Sequence, residues 1–121
     1  MARAHRIKYK GAWYHVMNRG AGRKRIYHTE KDYEIFLELL KEITNRYHIA
    51  IHAYCLMPNH YHLLANTPLT NLSEAMRHLN GLYTRRFNKS RKIDGPLFRG
   101  RFKSVLIEEN KYFRNYSLKL I

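Results

Sequence analysis

The amino-acid sequence predicts an α+β domain in which two helices cover one face of a four-stranded antiparallel sheet. Segments rich in strand-forming residues and two amphipathic segments follow one another in the order β-α-β-β-α-β. Only a short turn separates the second strand from the third, so those two strands are antiparallel neighbours. This order is the split βαβ, or ferredoxin-like, pattern, here with a trailing C-terminal helix, and its first and third strands lie at the centre of the sheet.

The first half of the chain predicts a basic arm, a strand and an acidic helix. Residues 1–10 form the arm, and Trp13–Met17 is dense in residues that favour strands. Apolar side chains recur at helical spacing through residues 30–47, which are predicted to form an amphipathic helix. Thr29 with Asp32 three residues later is typical of a capping box at its start.

The second half predicts the remaining elements. Ile49–Leu56 and His60–Ala65 are the second and third strands, and an apolar stripe over residues 72–89 predicts the second helix. Phe98–Ile107 alternates imperfectly and is predicted to be the fourth strand, followed by the C-terminal helix at about 109–121. The 121 residues are long enough for a single domain, residues 1–121, with one core.

Charge indicates the class of partner. Lys and Arg number 23 against nine acidic residues, a formal net charge of +14. Such a balance favours a polyanion, because neutralising phosphates releases their counterions, and nucleic acid is the first choice. Most of the acids fall within residues 30–42, so the chain can hardly supply a carboxylate site for two metals.

Composition also indicates a cellular setting. Cys55 is the single cysteine and excludes an internal disulfide or a thiolate zinc cluster. No 18-residue apolar stretch and no signal peptide are found. We therefore expect a cytoplasmic protein that does not engage a membrane.

A histidine pair lies at the start of the third strand. His60 and His62 are two residues apart, so in an extended strand they project from the same face while Tyr61 faces the other way. Pro58 fits at the strand's edge or beginning and not in its middle. The spacing is common by chance, and a surface pair is the structural alternative, but two imidazoles on one rigid strand also make a pair of metal ligands.

Four segments together resemble the HUH single-strand DNA transposases, in particular the REP-associated tyrosine transposases and their insertion-sequence relatives. The matching segments cover most of the chain in the family's order: Trp13–Gly20, Phe36–Leu40, Tyr54–Leu64 and Gly95–Lys103. The run Met-Pro-Asn-His-Tyr-His joined to Leu-Phe-Arg-Gly-Arg-Phe is the most specific part of this resemblance.

The resemblance implies metal-dependent nicking and rejoining of single-stranded or hairpin DNA. In that family the histidine pair, here His60 and His62, and a polar residue from the last helix hold Mg²⁺ or Mn²⁺, and a helix tyrosine attacks the phosphate to form a 5′-phosphotyrosine. Lys119 stands where the family has its tyrosine, and the sequence ends at Ile121. Tyr116, one helical turn before Lys119, is therefore the first candidate nucleophile, and Tyr112 is the second.

Basic side chains in four segments are candidates for binding DNA. Four aromatic rings between them could stack on unpaired bases, although for most of these rings the core is the favoured position: Tyr27, Tyr83, Phe98 and Phe102. Apart from the N-terminal arm, these cations are Arg19, Arg23, Lys24, Arg25, Arg77, Arg85, Arg86, Arg99, Arg101 and Lys103.

Three functions remain open from the sequence. The first is an active transposase, and the second is an inactive or truncated DNA-binding relic of the same family, which Lys119 favours. The third is an RNA-binding module of the RRM type on a similar sheet, although no RNP motif is present. Members of the resembled family include dimers and monomers, so a homodimer is one of two options.

Overall fold

The computed structural model describes residues 10–107. Its strands and helices are β1 (Ala12–Arg19), α1 (Glu30–Tyr47), β2 (Ala50–Met57), β3 (His60–Thr67), α2 (Leu72–Arg91) and β4 (Lys103–Ile107), with a 3₁₀ turn at Ala21–Arg23. The four strands form one antiparallel sheet in the order β2-β3-β1-β4. The predicted α+β, ferredoxin-like fold is confirmed, and β1 and β3 are central as expected. The C-terminal helix at about 109–121 and residues 1–9 of the arm lie outside the described residues.

Side chains along the central strands β1 and β3 point alternately to two faces of the sheet. The helices cover one face, and the other is free of helices. Tyr14 and Val16 of β1 and Tyr61 and Leu63 of β3 are buried in one hydrophobic core with side chains of α1 and α2. Phe36 of α1 is at the middle of this core, where its ring contacts those of other aromatic residues. The intervening residues of β1 and β3 therefore project from the helix-free face.

The start of α1 follows the sequence prediction. The Thr29 side chain accepts a hydrogen bond from the Asp32 N–H, and the Asp32 carboxylate accepts one from the Thr29 N–H, which completes the capping box. The same carboxylate accepts from the His28 N–H at 2.8 Å and pairs with Arg91 at the end of α2. Asp32 thereby fixes the helix start and joins the two helices.

The fourth strand is shorter than the predicted Phe98–Ile107. Regular pairing begins at Lys103, and Phe98 makes only an isolated bridge to Gly20. Phe98 and Phe102 are both buried, whereas residues 99–101 between them are exposed. The two buried rings hold both ends of this segment, so its middle bulges away from the sheet and is not a strand.

Among residues 10–107, no helix combines the length and apolar character that crossing a membrane requires.

Candidate metal and nucleic-acid site

The histidine pair projects from the helix-free face of the sheet. Antiparallel pairing places His60 opposite Arg19 of β1 and His62 opposite Met17. Directly opposed residues share a face, so the Arg19 guanidinium lies on the same side as both imidazoles. Lys103 of β4 pairs with Met17 from the other side of β1 and adds a second cation to this face. Both histidines are half-buried.

Asn59 determines which nitrogen of His60 is available. The Asn59 side-chain oxygen lies 2.7 Å from His60 Nδ1. An amide oxygen only accepts, so His60 carries its proton on Nδ1 and donates it to Asn59. The lone pair of the neutral ring is then on Nε2, which is the nitrogen that a metal ion needs.

His15 makes the equivalent contact to His62. His15 Nε2 lies 2.8 Å from His62 Nδ1, and the two rings lie side by side and nearly coplanar, with an interplanar angle of 9° and centroids 5.0 Å apart. Burial, followed by the neighbouring His60, lowers the pKa of His62 from its ordinary value, so this ring is neutral at neutral pH. When His62 Nδ1–H is the donor in this hydrogen bond, the lone pair of His62 is also on Nε2.

These features fit a divalent metal ion. The rings of His60 and His62 have centroids 4.9 Å apart at an interplanar angle of 87°, and each has its Nδ1 engaged by a neighbouring side chain. Within residues 10–107, no group of three or more His, Cys, Asp or Glu side chains is placed to hold a metal. The described part of the chain therefore offers two imidazoles as candidate metal ligands.

No tyrosine in the described part of the chain lies on the histidine face. Tyr14 and Tyr61 point into the core, and Tyr54 is opposite Leu63 on the helix-covered side. Tyr27 and Tyr83 are buried, and burial raises the pKa of both phenols well above the ordinary value, which makes them poor nucleophiles.

Two further tyrosines in this range, Tyr33 and Tyr47, lie on α1, where Tyr33 stacks on Tyr27 and Tyr47 hydrogen-bonds His78. Both candidate nucleophiles, Tyr116 and Tyr112, and Lys119 lie outside the described residues.

Four of the candidate DNA-binding cations meet beside the histidine face. Arg19, Arg99, Arg101 and Lys103 line a cavity of about 320 Å³ with Met17, Asn18 and Gly100. Arg19 and Arg99 also line a neighbouring cavity of about 350 Å³, to which Arg23 contributes. The cations that are far apart in sequence are therefore adjacent in space.

Two more cavities continue this basic surface onto α2. Arg101 and Arg77 line one of about 520 Å³. Arg77 and Arg85 line another of about 410 Å³ with Tyr47, Glu74, His78 and Gly81. Arg86 is exposed on the same helix, whereas Lys24 and Arg25 donate to the backbone oxygens of Pro96 and Tyr27.

The bulged segment, residues 99–101, is held in place by β1 and by the turn that follows β1. Asn18, which is 5% exposed, donates from Nδ2 to the Gly100 oxygen at 3.2 Å, and the Arg99 N–H donates to the Arg19 oxygen at 2.9 Å. Gly20 allows the close approach of the loop, because a Cβ there would lie 2.1 Å from the Lys24 oxygen. These contacts fix the backbone that carries Arg99 and Arg101.

The aromatic rings between the cations lie in the core, which is the alternative that the sequence favours for most of them. Tyr27, Tyr83, Phe98 and Phe102 are at most 7% exposed and belong to the core, so they cannot present open ring faces to bases. Sequence reasoning also missed Asn59 as a partner of His60. The signal was available in the sequence, because Asn59 immediately precedes the histidine and carries an amide acceptor.

Comparison with known families settles the relationship. The profile of the IS200-like transposases matches residues 8–115. The chain belongs to the IS200-like transposase family. The resemblance drawn from the sequence is confirmed, and membership of this family decides against the RNA-binding module of the RRM type.

Solved structures agree with the fold. A REP-associated tyrosine transposase bound to a REP hairpin is 19% identical with a TM-score of 0.75, over 96% of this chain and 68% of that one. A proposed transposase from Deinococcus radiodurans R1 is 18% identical with a TM-score of 0.65, over 98% of this chain and 92% of that one. A comparison with curated protein sequences finds no significant match.

Proposed function

We propose that this IS200-like transposase nicks and rejoins single-stranded DNA in a metal-dependent reaction, through a 5′-phosphotyrosine. The observation that carries the proposal is the arrangement of the histidine pair, in which Asn59 and His15 engage the Nδ1 atoms of His60 and His62. The Asn59 contact leaves Nε2 of His60 as a ligand, and donation from His62 Nδ1 to His15 would leave Nε2 of His62 as a second one, beside the Arg19 and Lys103 cations. Residues 1–121 act as one domain in this proposal.

His60 and His62 would hold Mg²⁺ or Mn²⁺, which when bound supplies positive charge next to the scissile phosphate. Imidazole is a better ligand for Mn²⁺ than for Mg²⁺, so Mn²⁺ is the better probe. Arg19 and Lys103 attract the phosphate to the same face, and Arg99 and Arg101 extend the contact along the strand.

The covalent step uses a tyrosine from outside residues 10–107. Tyr116 is the first candidate and Tyr112 the second. The phenol oxygen forms a bond to phosphorus and loses its proton to solvent, while the bond from phosphorus to the 3′ oxygen breaks and that oxygen takes up a proton from solvent to leave as a hydroxyl. Rejoining reverses these changes when a 3′ hydroxyl attacks the phosphotyrosine. The placement of the described tyrosines supports this assignment, because those residues lie in the core, on the helix-covered side or on α1.

The substrate we propose is a hairpin with an unpaired flank. The transposase structure with a TM-score of 0.75 was determined with a REP hairpin bound, and the net charge of +14 suits such a polyanion. Basic cavities on the histidine face and on α2 give room for both a paired and an unpaired part. A homodimer and a cytoplasmic location stay predictions.

The second candidate is a DNA-binding relic, and Lys119 at the family's tyrosine position is what favours it. A relic would bind the same hairpins but would form no covalent bond, because a lysine amine does not replace the phenol in this chemistry.

The test incubates the full chain with a labelled hairpin oligonucleotide and Mn²⁺, then separates products on a denaturing gel. We expect a nick and a protein–DNA adduct that EDTA, His60→Ala and Tyr116→Phe each abolish. His52→Ala is the matched control, since His52 contacts Trp13 at the other end of the same sheet. Binding without any adduct would establish the relic instead, and cleavage that survives both EDTA and His60→Ala would overturn the proposal.

A further inference from the structure

A cavity lies between α2 and the bulged segment, on the opposite side of that segment from the histidine face. It has a volume of about 520 Å³ and is lined by Ser73, Arg77, Asn80, Gly100, Arg101 and Phe102. We propose that this cavity binds one unpaired nucleotide of the DNA strand whose phosphate lies at the histidine pair. The inference rests on the proposed function and adds a specific subsite to it.

The charge of the residues that line the cavity suits a nucleotide. Two guanidinium groups, Arg77 and Arg101, come from different elements, and none of the lining residues is acidic. Guanidinium binds phosphate through two parallel hydrogen bonds. Ser73, Arg77 and Asn80 are spaced at i, i+4 and i+7, so they share one face of α2 and direct their polar groups into the same space.

Asn80 has a fixed orientation. The Tyr61 hydroxyl donates to the Asn80 side-chain oxygen at 2.7 Å, and Tyr61 is fully buried. The oxygen is therefore committed to the core, and the amide NH₂ is the group that Asn80 turns toward the cavity. An NH₂ group donates to the ring nitrogens and carbonyl oxygens of bases, which gives the site a preference among bases and not only for charge.

Tyr61 also links this cavity to the histidine strand. It lies between His60 and His62 in β3 and points to the opposite face. The same strand thus presents two imidazoles on one side and anchors Asn80 on the other. The distance between the two sites is consequently fixed by a central strand of the sheet.

A strand can pass between the two sites over Gly100. Gly100 and Arg101 line both this cavity and the cavity on the histidine face. A Cβ at Gly100 would meet nothing within 4 Å, so the surface is open there. Asn18 donates a hydrogen bond to the Gly100 oxygen, and this contact keeps the backbone at the crossing point in place.

The size and shape favour an unpaired nucleotide. The volume of about 520 Å³ is in the range of sites for small ligands, which suits a single nucleotide. Phe102 is 4% exposed, so it gives the cavity an apolar wall and not an open stacking surface. A base in this cavity has left the helix, as the bases next to a hairpin do.

The test measures binding of hairpin oligonucleotides with an unpaired flank by fluorescence anisotropy, using the full chain in EDTA so that no cleavage occurs. One base at a time in the flank is replaced by an abasic site. For the wild type we expect one position at which loss of the base weakens binding about tenfold, the size of a single base contact in such complexes.

Asn80→Asp is the diagnostic variant, because the carboxylate still accepts from Tyr61 but no longer donates into the cavity. We expect it to weaken binding of the intact oligonucleotide about tenfold and to abolish the dependence on the abasic position. Asn45→Asp makes the same change of charge on the exposed side of α1 and is the matched control. Gly100→Leu blocks the crossing without entering the core, and we expect a similar loss of binding.

The inference is overturned if Asn80→Asp and Asn45→Asp weaken binding equally, if every abasic position behaves alike, or if a free mononucleotide binds as tightly as the oligonucleotide. Its failure is separable from that of the proposed function. A chain that binds as described but forms no adduct with Mn²⁺ contradicts only the nicking proposal, and an active enzyme that is insensitive to Asn80→Asp contradicts only this subsite.

Discussion

His15 is expected to control metal affinity at the histidine pair without being a ligand. Its Nε2 is 2.8 Å from His62 Nδ1, and its ring is nearly coplanar with that of His62. His15→Phe keeps a flat ring in the same place and removes the nitrogen. His62 then has no fixed partner for Nδ1, and nothing selects the tautomer that has its lone pair on Nε2.

The expected effect is about a tenfold rise in the dissociation constant for Mn²⁺. A neutral hydrogen bond contributes about 1 kcal/mol, which is close to a fivefold change in affinity. Loss of tautomer selection raises the dissociation constant further. The combined tenfold rise is at the lower end of the range of affinity losses for residues that support metal ligands.

Calorimetric titration of Mn²⁺ into the full chain, in the absence of DNA, measures this effect directly. His52→Phe is the matched control, because it makes the same substitution on the same face against Trp13. We expect the control to bind Mn²⁺ as the wild type does. An affinity of His15→Phe within about twofold of the wild type would refute the role assigned to His15.

Three further predictions concern the neighbouring contacts. Asn59→Leu is expected to weaken Mn²⁺ binding about tenfold in the same titration, and Asn59→Asp, which keeps the acceptor at 2.7 Å, is expected to weaken it less. Asp32→Ala is expected to lower the free energy of unfolding in urea by about 2 kcal/mol at pH 7, from a lost helix cap and a lost charged hydrogen bond to Arg91. Burial opposes ionisation of Asp32, but its hydrogen bonds and Arg91 hold its pKa below the ordinary value. That contribution is complete above the ordinary carboxyl pKa and is lost as the pH falls through the folded-state pKa, so the wild type and the variant should converge in acid; a gap that widens on acidification would contradict this. Gly20→Ala is expected to cost about 1–3 kcal/mol of stability by the same assay, since its Cβ would lie 2.1 Å from a backbone oxygen, whereas Gly100→Ala should be neutral.

Local patterns were sufficient for much of the fold. Helical spacing and the Thr29–Asp32 box gave α1 as residues 30–47, as observed, because a helix start is stabilised by side chains within one turn. The predicted start of the fourth strand was wrong, because the burial of Phe98 and Phe102 depends on helices that are distant in sequence. The same dependence decided between core and stacking surface for the aromatic residues among the cations, since such a residue has the same sequence pattern whether it is core or exposed.

The candidate site also combines features that the sequence predicts with features that depend on tertiary structure. His60 and His62 share a face because strand geometry requires it, and the sequence alone establishes that. The partner of His62, however, comes from β1, 47 residues away, and only the pairing of β1 with β3 brings His15 to it.

The sequence by itself determined the family, the order of strands and helices, the basic charge and the histidine pair, because each depends on residue type and short-range spacing. Only the tertiary structure decided which cations meet beside that pair, which nitrogens stay available and that Asn80 faces a cavity. Those features arise where strands and loops distant in the chain come together, and packing of the whole core determines that geometry.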